Sequence, residues 1–120
     1  MTEKQKTKYL VNAFSLNMLP LVVGGEVTIK VKRLTTNEFC EELRSGFISA
    51  IGHESTAFLI SQLCNVPVSV NRQQIKIGDG EEALVMTVAI RLPEGKVLSQ
   101  QKLEQYLRAE QIAFWKVEVL

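Results

Sequence analysis

One stretch of this 120-residue chain limits the possible folds more than any other. The sequence LVMTVAI at residues 84–90 is almost continuously apolar, within a strand predicted over Ala83–Arg91. A strand without a polar face is covered on both faces, so we expect it in the centre of a sheet. A chain of this length forms one domain and is large enough to bury a hydrophobic core.

Four further strands are predicted around the central one. Val27–Leu34 alternates apolar and polar residues, which is the period of a half-buried strand. Tyr9–Phe14 reads as the first strand of the chain, and residues 112–120 read as the last. Val68–Ile77 is predicted to form a hairpin with the central strand, because the sequence Gly-Asp-Gly at residues 78–80 is a turn signal.

Three helices complete the pattern. The sequence TTNE forms a capping box, in which Thr35 caps a helix and Glu38 reaches back. That helix turns Phe39, Cys40 and Leu43 inward. A second helix is predicted over His53–Cys64 and a third from Ser99 to about Glu110.

The element order β, β, α, α, β, β, α, β predicts an α+β fold, in which a single mixed sheet of about five strands carries three helices, mainly on one side. Residues 1–7 are expected to be a flexible charged extension, and residues 8–120 a single domain. Phe58 falls on the polar face of the second helix, where an exposed aromatic side chain either contacts another subunit or simply lies in solvent.

The charge balance limits the possible partners. The net charge is +1, from 14 basic and 13 acidic residues, which argues against binding to long nucleic acid. A small anion needs only a local cluster of positive charge. The first residues, MTEKQKTK, do not resemble a signal peptide, and no apolar run reaches the roughly 18 residues of a membrane span. We therefore expect a cytoplasmic protein without a membrane partner.

The two cysteines, Cys40 and Cys64, each fall on the apolar stripe of a predicted helix. Buried reduced thiols are the expected state in the cytoplasm. Two cysteines and one distant histidine do not make a zinc site, so no metal or cofactor is expected.

Several polar residues lie near the ends of predicted elements, where side chains can converge in a cleft. They are Asn12, Asn17, His53, Arg72, Arg91 and Glu94. A second polar group, comprising Lys30, Lys32, Arg72 and Lys76, lies on predicted strand faces. It is either a solvated sheet face or part of an anion site.

His53 is the only histidine, and it lies where a helix begins. Such a residue can cap the helix, donate to a nearby carbonyl or simply face water. It can also act as a proton donor, because a bound phosphodiester favours the protonated imidazole. Arginine holds phosphate by charge and fork geometry, and asparagine can bind adenine edges or ribose hydroxyls. These residue types are suited to RNA phosphodiester cleavage without a metal.

Four sequence blocks carry a resemblance to a known family: YLVNAFSLNML, SAIGHEST followed by LISQLC, NRQQIKI, and RLPEGKVLS. In this order they resemble the blocks of the viral ring nucleases, the anti-CRISPR proteins of type III systems. Members occur in archaeal viruses, phages and prophages, and sometimes in bacterial genomes. The resemblance covers roughly residues 8–120.

The resemblance implies a homodimer that binds cyclic tetra-adenylate and cleaves it without a metal. The products would be linear di-adenylate ending in a 2′,3′-cyclic phosphate. The family's catalytic histidine corresponds to His53, and the arginine and glutamate of its mobile loop correspond to Arg91 and Glu94. Its ligand-binding residues correspond to Asn12, Asn17 and Arg72.

Two positions depart from the family pattern. Thr87 stands where some relatives have a glutamine that contacts an adenine, and Pro93 should stiffen the loop that closes over the ligand. Two other hypotheses remain open at the level of sequence. A binder that only sequesters the ligand would not need His53, and a structural or DNA-associated viral protein would need no pocket.

Overall fold

The computed structural model describes residues 7–90 and 98–120. In chain order they form β1 (Lys8–Val11), β2 (Ile29–Leu34), α1 (Thr36–Arg44), β3 (Ile48–Ser49), α2 (Glu54–Cys64), β4 (Glu82–Val88), α3 (Gln100–Arg108) and β5 (Ile112–Val119), with a 3-10 turn at Leu16–Met18. The predicted α+β fold, a single mixed sheet of five strands with three helices, is confirmed.

The strands lie in the order β2-β5-β4-β1-β3. β4 is parallel to β1 and antiparallel to β5, and β1 is also parallel to β3. β4 therefore has a strand on either side and is buried over most of its length. The central position predicted from its continuous apolar run is confirmed.

The two faces of the sheet are covered differently, and alternate side chains of each strand point to opposite faces. On one face Leu10, Leu84 and Phe114 pack with buried side chains from all three helices. On the other face Val11, Val85 and Val117 pack under Leu19, Ile75 and Ile77, which belong to irregular segments. The helices therefore lie on one side of the sheet, as expected, and loops cover part of the other.

The prediction of a strand over Val68–Ile77 is wrong. These residues form an irregular segment, attached to the rest of the chain by isolated hydrogen bonds such as that from the Ile77 amide to the Met18 carbonyl, 2.7 Å. The reason is the sheet order: β1 and β5 occupy both edges of β4, so no edge is left for a hairpin partner. The turn at residues 78–81 instead joins this segment to the start of β4.

The expectation that both cysteines are reduced thiols is also wrong. Cys40 of α1 and Cys64 of α2 form a disulfide, with Cα atoms 5.0 Å apart. Both side chains are buried where the two helices meet. Each cysteine was correctly placed on an inward face, but the packing of the helices, which brings the two sulfur atoms together, is a long-range property.

Local signals set the helix starts. The Thr35 hydroxyl accepts from the Glu38 amide at 3.1 Å, and the Glu38 carboxylate accepts from the Thr35 amide at 2.9 Å, so the predicted capping box is present. Ser99 caps α3 by accepting from the Lys102 amide. Phe58 of α2 is 46% exposed, as expected from its place on the polar face.

An ion cluster lies on the helix-covered face, near the start of β1 and β4. Glu42 of α1 pairs with Lys8 at 3.0 Å and with Lys116 at 3.5 Å, and both lysines also approach the buried Glu82. Burial of the Glu42 carboxyl raises its pKa, but the two ion pairs outweigh burial, so the pKa is lowered. Burial of the Lys116 ammonium lowers its pKa, but Glu82, Glu42 and Glu118 outweigh that effect and raise it.

Within the described residues, no helix is both long enough and apolar enough to cross a membrane. The predicted extension at residues 1–7 lies outside the described part of the chain except for Thr7, whose carbonyl accepts from the Glu82 amide at 3.0 Å.

Candidate functional site

The parallel strands β1, β3 and β4 all end at one edge of the sheet, which we call the carboxyl edge. Three segments leave the sheet there: Asn12 onward after β1, Ala50–His53 after β3, and Ala89–Ile90 after β4. The Ala50 amide donates to the Leu10 carbonyl at 2.9 Å, which joins the segment after β3 to β1 close to the end of that strand. In sheets with parallel strands, ligands bind at this edge, beyond the strand ends.

His53 lies at the carboxyl edge as the N-cap residue of α2. Its backbone carbonyl accepts the first hydrogen bond of the helix from Ala57, at 3.1 Å. The imidazole makes no capping hydrogen bond and is exposed to solvent. The capping role considered for His53 is therefore filled by its backbone alone. The exposed imidazole lies at the positive end of the helix dipole, where a bound anion would be favoured.

Arg72 lies beside His53, although it is not on a strand as predicted. It belongs to the irregular segment, and its Nε donates to the Gly52 carbonyl at 2.6 Å. Within residues 7–90 and 98–120, the guanidinium makes no ion pair. That bond uses only Nε, and the two terminal nitrogens are the donor fork that suits a phosphate.

Asn12 and Asn17 lie on the segment that leaves β1. Asn12 follows the strand directly and is half-buried, and Asn17 lies in the exposed 3-10 turn. Lys76 donates through Nζ to the Asn17 carbonyl, so the irregular segment that carries Arg72 also meets this turn. Four of the six predicted site residues thus belong to segments that contact one another.

The other two predicted residues, Arg91 and Glu94, lie outside the described residues, as does Pro93. The chain enters them directly from Ile90, which follows β4 at the carboxyl edge. Thr87 lies near the end of β4, and its hydroxyl accepts a hydrogen bond from the Trp115 indole at 3.0 Å.

The predicted basic strand face is not formed as one surface. Lys30 and Lys32 are exposed on the edge strand β2, whereas Arg72 and Lys76 lie in the irregular segment. Since β2 and β3 are at opposite ends of the sheet order, the two lysines of β2 are separated from His53 by the width of the sheet. Of these four, only Arg72 contributes positive charge near the carboxyl edge, because Lys76 lies just before the turn that joins the irregular segment to the start of β4.

Two residues of the site were missed from the sequence. The side chains of Ser49 and Asn71 donate hydrogen bonds to backbone carbonyls close to the segment that leads to His53. No local signal marks them, because their partners are main-chain carbonyls more than 19 residues away.

The chain is similar to proteins of several viruses. The sequence model of the family described as STIV B116-like matches residues 8–114. Protein ORF116 of Acidianus filamentous virus 1 is 34% identical over 112 residues, which cover 92% of this chain and 94% of that protein. Protein 26 of Sulfolobus islandicus filamentous virus is 40% identical over 99 residues, 81% of each chain. The solved structure of B116 from Sulfolobus turreted icosahedral virus superposes with a TM-score of 0.82 at 37% identity, covering 93% of this chain and 98% of that one.

Proposed function

The chain belongs to the STIV B116-like family of viral proteins, and from the residues at its carboxyl edge we propose that it is a metal-independent ring nuclease. Its substrate is cyclic tetra-adenylate, which it cleaves to linear di-adenylate with a 2′,3′-cyclic phosphate end. In a cell with a type III CRISPR system, this reaction switches off the effector nucleases that the ring activates. The activity is thus that of an anti-CRISPR protein acting in the host cytoplasm.

One observation carries the proposal: the exposed His53 imidazole and the Arg72 guanidinium lie together at the carboxyl edge, and two asparagines lie on the segment that leaves β1 there. The Arg72 bond to Gly52 places a guanidinium one residue from His53, and Lys76 ties the turn of Asn17 to the same segment. An acid, a phosphate-binding group and amides for base or ribose contacts are the parts that RNA cleavage by transesterification needs.

The chemistry uses a nucleophile that belongs to the substrate. The ribose 2′-hydroxyl loses its proton to solvent and attacks the adjacent phosphorus, the bond from phosphorus to the 5′-oxygen breaks, and protonated His53 donates its proton to the departing oxygen. Arg72 binds the phosphate, and Asn12 and Asn17 hold the adenosine units. The protein's task is alignment and delivery of one proton.

The proposal includes two further groups and a second subunit. By resemblance, Arg91 and Glu94 correspond to the catalytic arginine and glutamate of the family. A ring of four adenylate units is compatible with a two-fold axis, so we propose a homodimer in which each subunit supplies one His53.

The test of turnover uses labelled cyclic tetra-adenylate in excess EDTA, with products resolved by mass spectrometry. Wild type should yield di-adenylate with a cyclic phosphate end. His53→Ala should be slower by roughly 100- to 10,000-fold, because it lacks the positioned acid. Its affinity for the ring should largely survive. Gln73→Ala, which changes an exposed residue of the same irregular segment, is the control and should cleave at the wild-type rate.

The outcomes separate the hypotheses. A wild type that binds the ring but leaves it intact is a sequestering protein, and one that does not bind the ring has another function. If His53→Ala cleaves at the normal rate, the acid has been assigned to the wrong residue.

The test of binding uses calorimetry with Arg72→Ala. Removing a charge-assisted contact should weaken ring affinity by about 1.5–3 kcal/mol. Lys30→Ala is the matched control, since it also removes one exposed positive charge but lies across the sheet. Equal affinities for the two variants would show that Arg72 does not contact the ring and that the pocket lies elsewhere.

A further inference from the structure

Residues 69–72, which we call the clasp, run alongside residues 49–52. The centre of the clasp is Asn71, which makes two hydrogen bonds to carbonyls of the facing segment. Its backbone amide donates to Ile51 at 2.8 Å, and its side-chain Nδ2 donates to Ser49 at 2.7 Å. A single residue thereby holds two alternate carbonyls of the chain that leads to His53.

Two more side-chain bonds flank Asn71. On one side the buried Ser49 hydroxyl donates to the Ser69 carbonyl at 2.6 Å, and on the other Arg72 Nε donates to the Gly52 carbonyl. Three of the four bonds in the clasp therefore use side chains. The two segments run in the same direction, as in a pair of parallel strands, but most of their hydrogen bonds need particular side chains rather than the backbone alone.

Apart from the Ile51 side chain, which is fully buried in the core, the segment that the clasp holds has few other attachments among the described residues. β3 is only two residues long and lies at the end of the sheet order, so no strand of residues 7–90 and 98–120 lies along its outer edge. After it, the Ala50 amide donates to the Leu10 carbonyl. Apart from the bonds to the clasp, the next backbone–backbone hydrogen bond of this connection among the described residues is the one that the His53 carbonyl accepts within α2. The carbonyls of residues 49, 51 and 52 all accept from the clasp.

The two segments also approach closely at Gly52. A Cβ atom at this position would lie 3.3 Å from Cγ of Arg72, which is tighter than an ordinary contact. The arginine stem therefore packs directly on the glycine that precedes His53. The close approach shows that the clasp and the connection are in direct contact at the residue before His53.

We propose that Asn71 is a positioning residue, which fixes the backbone of residues 49–52 and thereby the place of the His53 imidazole. Its effect on the rate of cleavage rests on the proposed function. Its effect on the order of the backbone does not, so the two are measured separately.

The first experiment needs no ligand. Backbone amide order parameters are measured by NMR for residues 50–53 in wild type, in Asn71→Ala and in Asn37→Ala. The control removes the same amide group from an exposed position of α1. We expect rigid values near 0.85 in wild type and control, and a fall toward about 0.6 in Asn71→Ala. Unchanged values in Asn71→Ala would overturn the proposal, whether or not the protein cleaves anything.

The second experiment separates positioning from general stability. With cyclic tetra-adenylate, and at a temperature at which circular dichroism shows each variant fully folded, Asn71→Ala should lower turnover by roughly 10- to 100-fold, the loss expected for a displaced catalytic group. Its ring affinity should stay within a few-fold of wild type. Normal turnover in a variant with a mobile 50–53 segment would refute the positioning role.

A second variant covers the case in which Asn71→Ala does not fold. Ser49→Ala removes a different bond of the same clasp and keeps the Asn71 side chain. It should show the same pattern with a smaller loss of order, and rigid residues 50–53 in this variant would count against the clasp. If wild type cleaves no ring, the proposed function fails, while the order parameters still decide whether the clasp holds the segment.

Discussion

The Cys40–Cys64 disulfide should be a large part of the stability of this domain. The bond joins α1 to α2 across a sequence separation of 24 residues, and the enclosed loop contains β3 and His53. A cross-link of this kind acts mainly on the unfolded chain, because it removes conformations that an open chain can adopt. Breaking the bond therefore costs stability even if the folded structure does not change.

The magnitude follows from the loop length. For a loop of this size, the chain-entropy relation gives about 3.5 kcal/mol at 25 °C. A domain of 120 residues has an unfolding entropy on the order of 0.25 kcal/mol/K. Reduction should therefore lower the melting temperature by roughly 10–15 °C.

The assay compares oxidised and reduced wild type by thermal unfolding, with thiols counted in each sample. The double variant Cys40→Ala/Cys64→Ala is the control, because its melting temperature should not respond to the reductant. Reduced wild type with two free thiols and an unchanged melting temperature would refute the loop-entropy reasoning.

Three further predictions concern the cap, the ion cluster and the assembly. Thr35→Ala should cost about 1 kcal/mol of unfolding free energy in urea titrations, whereas Thr28→Ala, in an exposed loop, should cost little; equal losses would mean that the capping box contributes nothing. The lowered pKa of Glu42 means that its ion pairs stabilise the fold above the unfolded-state pKa of about 4.3, and that this contribution is lost as pH falls through the folded-state value. Glu42→Gln should therefore lose stability at pH 7 and show a shallower decline in acid, and a parallel decline in both proteins would contradict the assignment. Light scattering at micromolar concentration should give a dimer mass, and a monomer would argue against a site shared by two subunits.

Local patterns predicted the elements that depend on local interactions. The capping box needs only Thr35 and Glu38, and the inward face of α1 follows from helical spacing, so both were predicted correctly. The central place of β4 was also predictable, since an apolar run of that length excludes an edge strand.

The errors came from competition between distant segments. Val68–Ile77 has a pattern compatible with a strand, but β1 and β5 take both edges of its expected partner. β3, with two residues, is too short to produce a periodic signal. The pairing of Cys40 with Cys64 depends on how two helices pack, which composition and spacing do not reveal.

The candidate site was predictable to the extent that its residues carry distinctive chemistry. His53 stands out in the sequence as the single histidine, and Arg72 as an arginine near the end of a predicted element. The fold brings their two segments together. Asn71 does not stand out, because an asparagine in a polar segment looks like any loop residue until its carbonyl partners are known.

The disulfide at one end of α2 and the clasp near the other give that helix the mechanics of a lever. Eleven residues, at about 1.5 Å each, put His53 roughly 16 Å from the fulcrum at Cys64. On an arm of this length, a tilt of about 4° moves the imidazole by about 1 Å, a displacement on the scale that can cost a hundredfold in rate. The far end of the helix can therefore be held firmly and still leave the proposed proton donor out of reach, unless the near end is held as well.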